Sequence, residues 1–165
     1  MSGGSSEEVA DRTAPVPHSR KVWFAWLTAV TIGVIAFGLL LVVAPGLGRQ
    51  GFSLLVFSSA DRVSEFGSEA TSYIELAHAV MGSVMAGWGM ALLLVLRGPM
   101  RRNLPEGLKI FGISLLVWFI PDTTFSIASG FWQNAILNFV FAVLFLIPLL
   151  ALYRQTRSTG KGQMG

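Results

Sequence analysis

The sequence contains no cysteine, and this absence excludes several kinds of chemistry. The chain cannot form disulfides, thiolate metal sites, thioether-linked haem or a cysteine nucleophile. Charged residues are also scarce, at 13% of 165 residues, whereas soluble domains carry roughly a quarter. Hydrophobic residues make up 53% of the chain. This balance is typical of a membrane protein. Because the four apolar runs described below use nearly half of the chain, we expect no separate soluble domain.

Histidine is limited to two residues, which restricts metal and haem chemistry. His18 lies in a polar N-terminal segment and His78 lies in an apolar run, on the opposite side of the membrane in the topology derived below. Two axial histidines from one chain are therefore excluded, although a dimer could supply His78 twice. The Glu75–His78 spacing matches half of a di-metal carboxylate motif, with no second copy. We predict no metal site, and the sequence identifies no cofactor.

Four apolar runs are long enough to cross a bilayer, for which about 20 residues suffice. They predict an all-α membrane protein whose residues 22–153 form a four-transmembrane-helix bundle. The predicted spans are about 22–44, 72–96, 108–128 and 131–153. The first run is too long for a signal peptide, whose apolar core has about 7–15 residues. Residues 1–21 and 154–165 are predicted to be polar tails, the first of them disordered.

The longest predicted loop covers residues 46–71. Its short apolar stretch, Phe52–Phe57, cannot span a bilayer, so we expect it to lie in the interface or to cap the bundle. Within the third span, Pro121 removes a backbone hydrogen-bond donor. This predicts a kink or local unwinding of the helix just before Asp122.

The positions of lysine and arginine predict the orientation, because cytoplasmic flanks are enriched in these residues. Arg49 and Arg62 alone lie on one side of the predicted spans. The other side holds Arg12, Arg20, Lys21, Arg97, Arg101, Arg102, Lys109, Arg154, Arg157 and Lys161. Both termini are therefore predicted to be cytoplasmic. Basic residues interleaved with aromatics are absent, so we expect no nucleic-acid partner.

This topology brings polar residues of three spans to a similar depth below the outer surface. At about 1.5 Å per residue, His78, Asp122 and Asn138 lie roughly 9–12 Å below the boundary. Ionisable groups in hydrocarbon are costly and usually face a bundle interior or a ligand. The candidate pocket or network residues are Glu75, His78, Trp118, Asp122, Ser126, Trp132, Asn134 and Asn138.

A stripe of small residues continues the Glu75 and His78 face of the second span. Gly82, Ala86 and Gly89 follow the same helical spacing. Small residues let membrane helices approach closely, so we predict that this stripe packs against another helix.

The polar residues have three interpretations. They form a structural network between helices, or line a pocket for a lipid-like or quinone-like molecule, or carry out catalysis. In the catalytic case His78 would transfer protons with Glu75 or Asp122. A pocket requires a cavity lined by the polar residues, whereas a purely structural network requires mutual hydrogen bonds without a cavity.

We interpret the chain as a small, non-enzymatic integral membrane protein that binds a lipid-like or quinone-like molecule or supports a membrane complex. One alternative is a membrane enzyme or redox accessory that uses His78. Another is a helix-docking subunit, which would expose its small-residue stripe to lipid. The partners expected are the lipid bilayer and either a second copy of the chain or another membrane protein.

Two segments, YIELAHAVMGSVMAGWGM (73–90) and WFIPDTTFSIASGFWQNAILN (118–138), resemble a family of small bacterial four-helix membrane proteins without an assigned function. The positions that carry the resemblance are His78, Gly82, Trp88, Asp122, Ser126, Gly130 and Asn138. The four-span layout is also similar to DoxX-like membrane proteins, although no motif places the chain among them. The resemblance implies a fold and a location in the bacterial plasma (inner) membrane, with no activity attached.

Overall fold

The computed structural model describes residues 18–161, and this part of the chain is all-α. The α-helices are α1 (His18–Val43), α2 (Pro45–Phe57), α3 (Ser68–Arg97), α4 (Pro99–Arg102), α5 (Leu104–Ala128) and α6 (Trp132–Lys161), and a 3-10 helix covers Arg62–Phe66. Residues 1–17 and 162–165, which belong to the predicted tails, lie outside the described residues.

Four helices are long and apolar enough to cross a membrane. The candidate spans are Ser19–Val43, Ser68–Arg102, Leu104–Ala128 and Trp132–Arg157. Their outward faces are apolar: Val43 is 82% exposed and Phe125 is 72% exposed. Exposed apolar surface of this extent is incompatible with water and suited to lipid. The chain is therefore a multi-pass helical membrane protein.

The helices extend beyond the predicted spans at their polar ends. α1 begins at His18, α3 at Ser68 and α5 at Leu104, each four residues before the predicted start. For α5 the reason is local, since the side chain of Asn103 accepts a hydrogen bond from the Glu106 backbone N–H and caps the helix. Hydropathy marks only the apolar part of such a helix.

The predicted 46–71 loop is largely helical. α2 begins with Pro45 in its first turn, where proline is well tolerated, and ends at Phe57. The next residue, Ser58, caps it in the left-handed conformation (φ 56°). The apolar stretch Phe52–Phe57 forms the second half of this helix, which contacts α1, α3 and α6. In α5 the helix continues through Pro121, so the predicted local unwinding does not occur.

The bundle consists of two helix pairs. α1 packs along α3, α5 packs along α6, and the pairs are joined where α1 contacts α6. At this joint the indole Nε1 of Trp26 donates to the carbonyl oxygen of Leu144 at 3.0 Å. α3 and α5, at the other side of the bundle, contact each other little.

Glycines permit the close approach of α1 and α3. A Cβ atom added at Gly38 would lie 2.6 Å from the carbonyl oxygen of Gly82 and 2.8 Å from the backbone nitrogen of Ala86. One added at Gly89 would lie 2.7 Å from Cγ1 of Ile35. The small-residue stripe of α3 thus lies against α1, and Gly82 and Gly89 are buried there.

The two ends of the bundle differ in packing. We call the end that holds α2, the 3-10 helix and the α5–α6 turn the connection end. The opposite end holds α4, the start of α1 and the end of α6, and we call it the terminal end. The core fills the half nearer the terminal end, where Phe111 and Phe145 pack with ring centroids 5.7 Å apart. Its other fully buried members include Leu27, Leu92, Leu96, Met100 and Leu152. The half nearer the connection end contains a cavity instead.

Gly82→Ala is expected to destabilise the bundle by about 1–3 kcal/mol, because the new methyl group collides with the α1 backbone at Gly38. Gly87→Ala is the matched control on the same helix, since a Cβ there has no neighbour within 4 Å. The control should retain or slightly raise stability. The free energy of unfolding in mixed detergent micelles, followed by circular dichroism, measures both. Equal unfolding curves for the two variants would contradict the glycine contact.

Candidate functional site

A cavity of about 950 Å³ occupies the half of the bundle near the connection end. All four spanning helices and α2 contribute to its wall, which is mostly aliphatic and aromatic. The polar residues that line it are Arg49, Ser53, His78, Ser114, Asp122, Ser126, Asn134 and Asn138. The cavity is therefore an apolar space with a limited set of polar groups, which is the usual composition of a small-molecule site.

The cavity opens sideways between α3 and α5. Val84 of α3 and Val117 of α5 line it and are each 68% exposed. Phe125, further along α5, also lines the cavity and faces outward. Because these residues lie within the spanning segments, the opening faces the hydrocarbon of the bilayer.

An aromatic contact closes the opening toward the terminal end. The indole Nε1 of Trp88 on α3 donates to the hydroxyl of Ser114 on α5 at 2.7 Å. The ring of Trp88 also packs against that of Trp118, with centroids 5.7 Å apart. The Trp88–Ser114 contact ties α3 to α5 on the terminal side of Val84 and Val117.

Asp122 is the centre of a hydrogen-bonded cluster between α5 and α6. Its Oδ1 atom accepts from the amide of Asn134 at 3.1 Å and lies 3.3 Å from the hydroxyl of Ser126. Ser126 donates to the backbone carbonyl of Asp122 at 2.7 Å and accepts from Asn134 at 2.8 Å. One turn deeper, Asn138 donates to the hydroxyl of Thr123 at 3.4 Å.

Arg49 is the cationic residue of the cavity wall. Its Nε atom forms an ion pair with Oε1 of Glu75 at 3.1 Å, and its guanidinium donates to the hydroxyl of Ser64 at 2.6 Å. The side chain is only 11% exposed. Both partners lie on elements next to α2, so the arginine links α2 to the 3-10 helix and α3 while its charge is balanced by the carboxylate.

His78 makes its hydrogen bond within its own helix. Its Nδ1 lies 2.7 Å from the carbonyl oxygen of Ile74, and because a carbonyl only accepts, Nδ1 carries the proton. Within residues 18–161 its Nε2 has no hydrogen-bond partner, so in the neutral ring this atom is a free acceptor. The ring packs edge-on against Phe52 of α2, with centroids 5.1 Å apart.

The structure brings together most of the candidate polar residues but not all. His78, Trp118, Asp122, Ser126, Asn134 and Asn138 line the cavity. Glu75 does not line the cavity and faces Arg49 instead. Trp132 does not line it either and is 59% exposed on the outside of the bundle. In the described part of the chain, no hydrogen bond or ion pair joins His78 to Glu75 or Asp122.

Sequence reasoning missed three polar residues of the wall. Arg49 and Ser53 belong to α2, which the sequence assigned to a loop, and Ser114 is a single hydroxyl in an apolar run. The spacing of Ser114 and Trp118, one helical turn apart, was the available signal for Ser114. Within residues 18–161, no group of three or more His, Asp or Glu side chains could hold a metal ion.

The fold and the cavity together define a small helical membrane protein with a hollow half. Comparison with protein-family models, with curated proteins and with solved structures finds no match.

A double-mutant cycle on Ser126→Ala and Asn134→Ala is expected to give a coupling energy of about 0.5–1.5 kcal/mol, because the two side chains bond across the α5–α6 interface. The unfolding free energy in mixed micelles supplies the four values. Ser83→Ala is the control, since its hydroxyl donates only to Ala79 of its own helix. A Ser83/Asn134 cycle should show no coupling. Additivity in both cycles would contradict the network.

Proposed function

We propose that this protein is a non-enzymatic membrane protein that binds a single-chain, lipid-like amphiphile in the cavity. The observation that carries the proposal is the combination of an apolar cavity of about 950 Å³, polar groups near the connection end, and an opening between α3 and α5. The alkyl chain would lie along the apolar wall, and the polar end would contact the Asp122 cluster.

The size of the cavity favours an occupant. Small-molecule sites have volumes of roughly 300–1,000 Å³, and this cavity is at the upper end of that range. Because the cavity opens toward the bilayer, an alkyl chain can enter it without a change in the fold and replace the missing packing contacts along its apolar wall.

The lateral opening suits a ligand that is already dissolved in the bilayer. Val84 and Val117 form its two sides, and neither presents a polar group that would hinder an alkyl chain. The Trp88–Ser114 contact ends the opening, so a ligand would enter nearer the connection end.

The alternatives receive less support. Proton transfer between His78 and Glu75 or Asp122 would need a contact between them, and the polar contact of the His78 ring is the Ile74 carbonyl. A docking subunit requires a free small-residue stripe, whereas Gly82 and Gly89 are buried against α1.

We also propose the orientation in which the connection end is the outer side and both termini are cytoplasmic. The two basic residues at the connection end are paired, Arg49 with Glu75 and Arg62 with Glu65. The terminal end holds an excess of lysine and arginine in short flanks, as cytoplasmic sides do. The membrane would be a bacterial plasma membrane, and the family that of the small four-helix proteins that the two segments resemble.

Native mass spectrometry of the detergent-purified protein tests the ligand. We expect an adduct with the mass of a single-chain amphiphile that survives removal of the detergent. Leu137→Trp, which fills the cavity from α6, should reduce the adduct several-fold. Ile136→Trp, at a neighbouring residue that is 55% exposed and does not line the cavity, should retain it. Wild-type protein that carries no adduct and binds no added amphiphile would contradict the proposal.

Single-cysteine labelling tests the orientation. Because the sequence has no native cysteine, each variant carries one labelling site. Ser59→Cys, between α2 and the 3-10 helix, should react in intact cells with a maleimide that cannot cross the membrane. Ser19→Cys, at the start of α1, should react only after the membrane is permeabilised. The reverse pattern would invert the proposed topology.

A further inference from the structure

We propose that the ligand of this cavity carries a protonated amine as its polar end. This inference rests on the proposed function and names the chemical class of the amphiphile. It follows from the charges of the wall and from the hydrogen-bonding capacity that the protein leaves unused.

Asp122 is the acidic residue of the wall, and no cationic side chain of the described residues pairs with it. Neutral donors, from Asn134 and Ser126, contact Oδ1, and within residues 18–161 neither an ion pair nor a hydrogen bond involves Oδ2. The carboxylate lies within a spanning helix, in its last two turns, where an isolated charge is costly. A cationic group of the ligand would compensate this charge in a low-dielectric environment, where the attraction is strong.

The positive charge of the wall, on Arg49, is already paired within the protein. Arg49 is paired with Glu75 and bonded to Ser64, so the arginine brings no net charge that would attract an anionic headgroup. His78 and Asp122 are the other ionisable residues that line the cavity. When His78 is left out, the summed formal charge of Arg49, Glu75 and Asp122 is negative. The site therefore disfavours a carboxylate or phosphate headgroup.

Three unused acceptors come from three different helices. They are Oδ2 of Asp122 on α5, Nε2 of His78 on α3 and Oδ1 of Asn138 on α6, and none accepts a hydrogen bond from the described residues. Asn138 is 4% exposed and lines the cavity, so its oxygen cannot rely on bulk water. A primary ammonium group has three donors and no acceptor, so it has the polarity that these acceptors require.

Binding of chain-matched probes tests the inference. Dodecylamine, dodecanol, dodecanoate and dodecyltrimethylammonium would be titrated onto the delipidated protein at neutral pH, with bound ligand measured by native mass spectrometry. Charge-assisted hydrogen bonds should favour dodecylamine over dodecanol by roughly tenfold or more. Dodecanoate should bind more weakly than dodecanol. Dodecyltrimethylammonium, a cation without donors, should bind more weakly than dodecylamine.

Asp122→Asn removes the charge and keeps the shape. It should abolish the preference for dodecylamine and leave dodecanol binding within about twofold. Glu69→Gln, an exposed carboxylate at the start of α3 near the same end of the bundle, is the control and should keep the preference. Retention of the preference in Asp122→Asn, or its loss in Glu69→Gln, would overturn the inference.

The two proposals fail in different ways. If none of the four probes binds the wild-type protein, the proposed function itself is wrong. If the probes bind with equal affinity, or if dodecanoate binds best, the cavity still holds an amphiphile and the amine inference alone is wrong. If dodecyltrimethylammonium binds as tightly as dodecylamine, charge alone decides affinity and the hydrogen-bonding part of the amine inference is wrong.

Discussion

The close backbone contact between α1 and α3 determines the arrangement of the bundle. At Gly38 and Gly82 the two helices approach to a distance that no side chain would allow. This contact holds α3 on α1, while α5 pairs with α6, and the joint between α1 and α6 connects the pairs. Four helices arranged in this order leave α3 and α5 without extensive mutual packing. The lateral opening of the cavity is a consequence of that geometry.

The interior of the bundle has a packed half, which stabilises the fold, and a half that contains the open cavity. Near the terminal end, aromatic and aliphatic side chains such as Phe111 and Phe145 fill the space between the helices. Near the connection end, the same helices carry polar residues whose hydrogen bonds run to one another or to their own backbone. The network and cavity interpretations are therefore compatible, because the Asp122 cluster is both hydrogen-bonded between helices and exposed to the cavity.

Hydropathy and helical spacing were sufficient to predict four spans and a layer of polar residues that includes His78, Asp122 and Asn138. They could not predict α2, because a helix of 13 residues is too short to be recognised as a span and its three glycines are typical of a loop. The role of Arg49 was missed for that reason, and with it the partner that turns Glu75 away from the cavity. The gap between α3 and α5 depends on which helices pair in three dimensions, and periodicity along one helix does not carry that information.

The central claim is that an alkyl chain lies inside the bundle. A photoactivatable amphiphile with a diazirine in its alkyl chain, incorporated in lipid nanodiscs, tests this claim when the labelled residues are mapped by mass spectrometry. We expect labels on Leu137 and Phe141 of α6, which line the cavity. Labels confined to outward-facing residues such as Leu116 and Leu146 would contradict it.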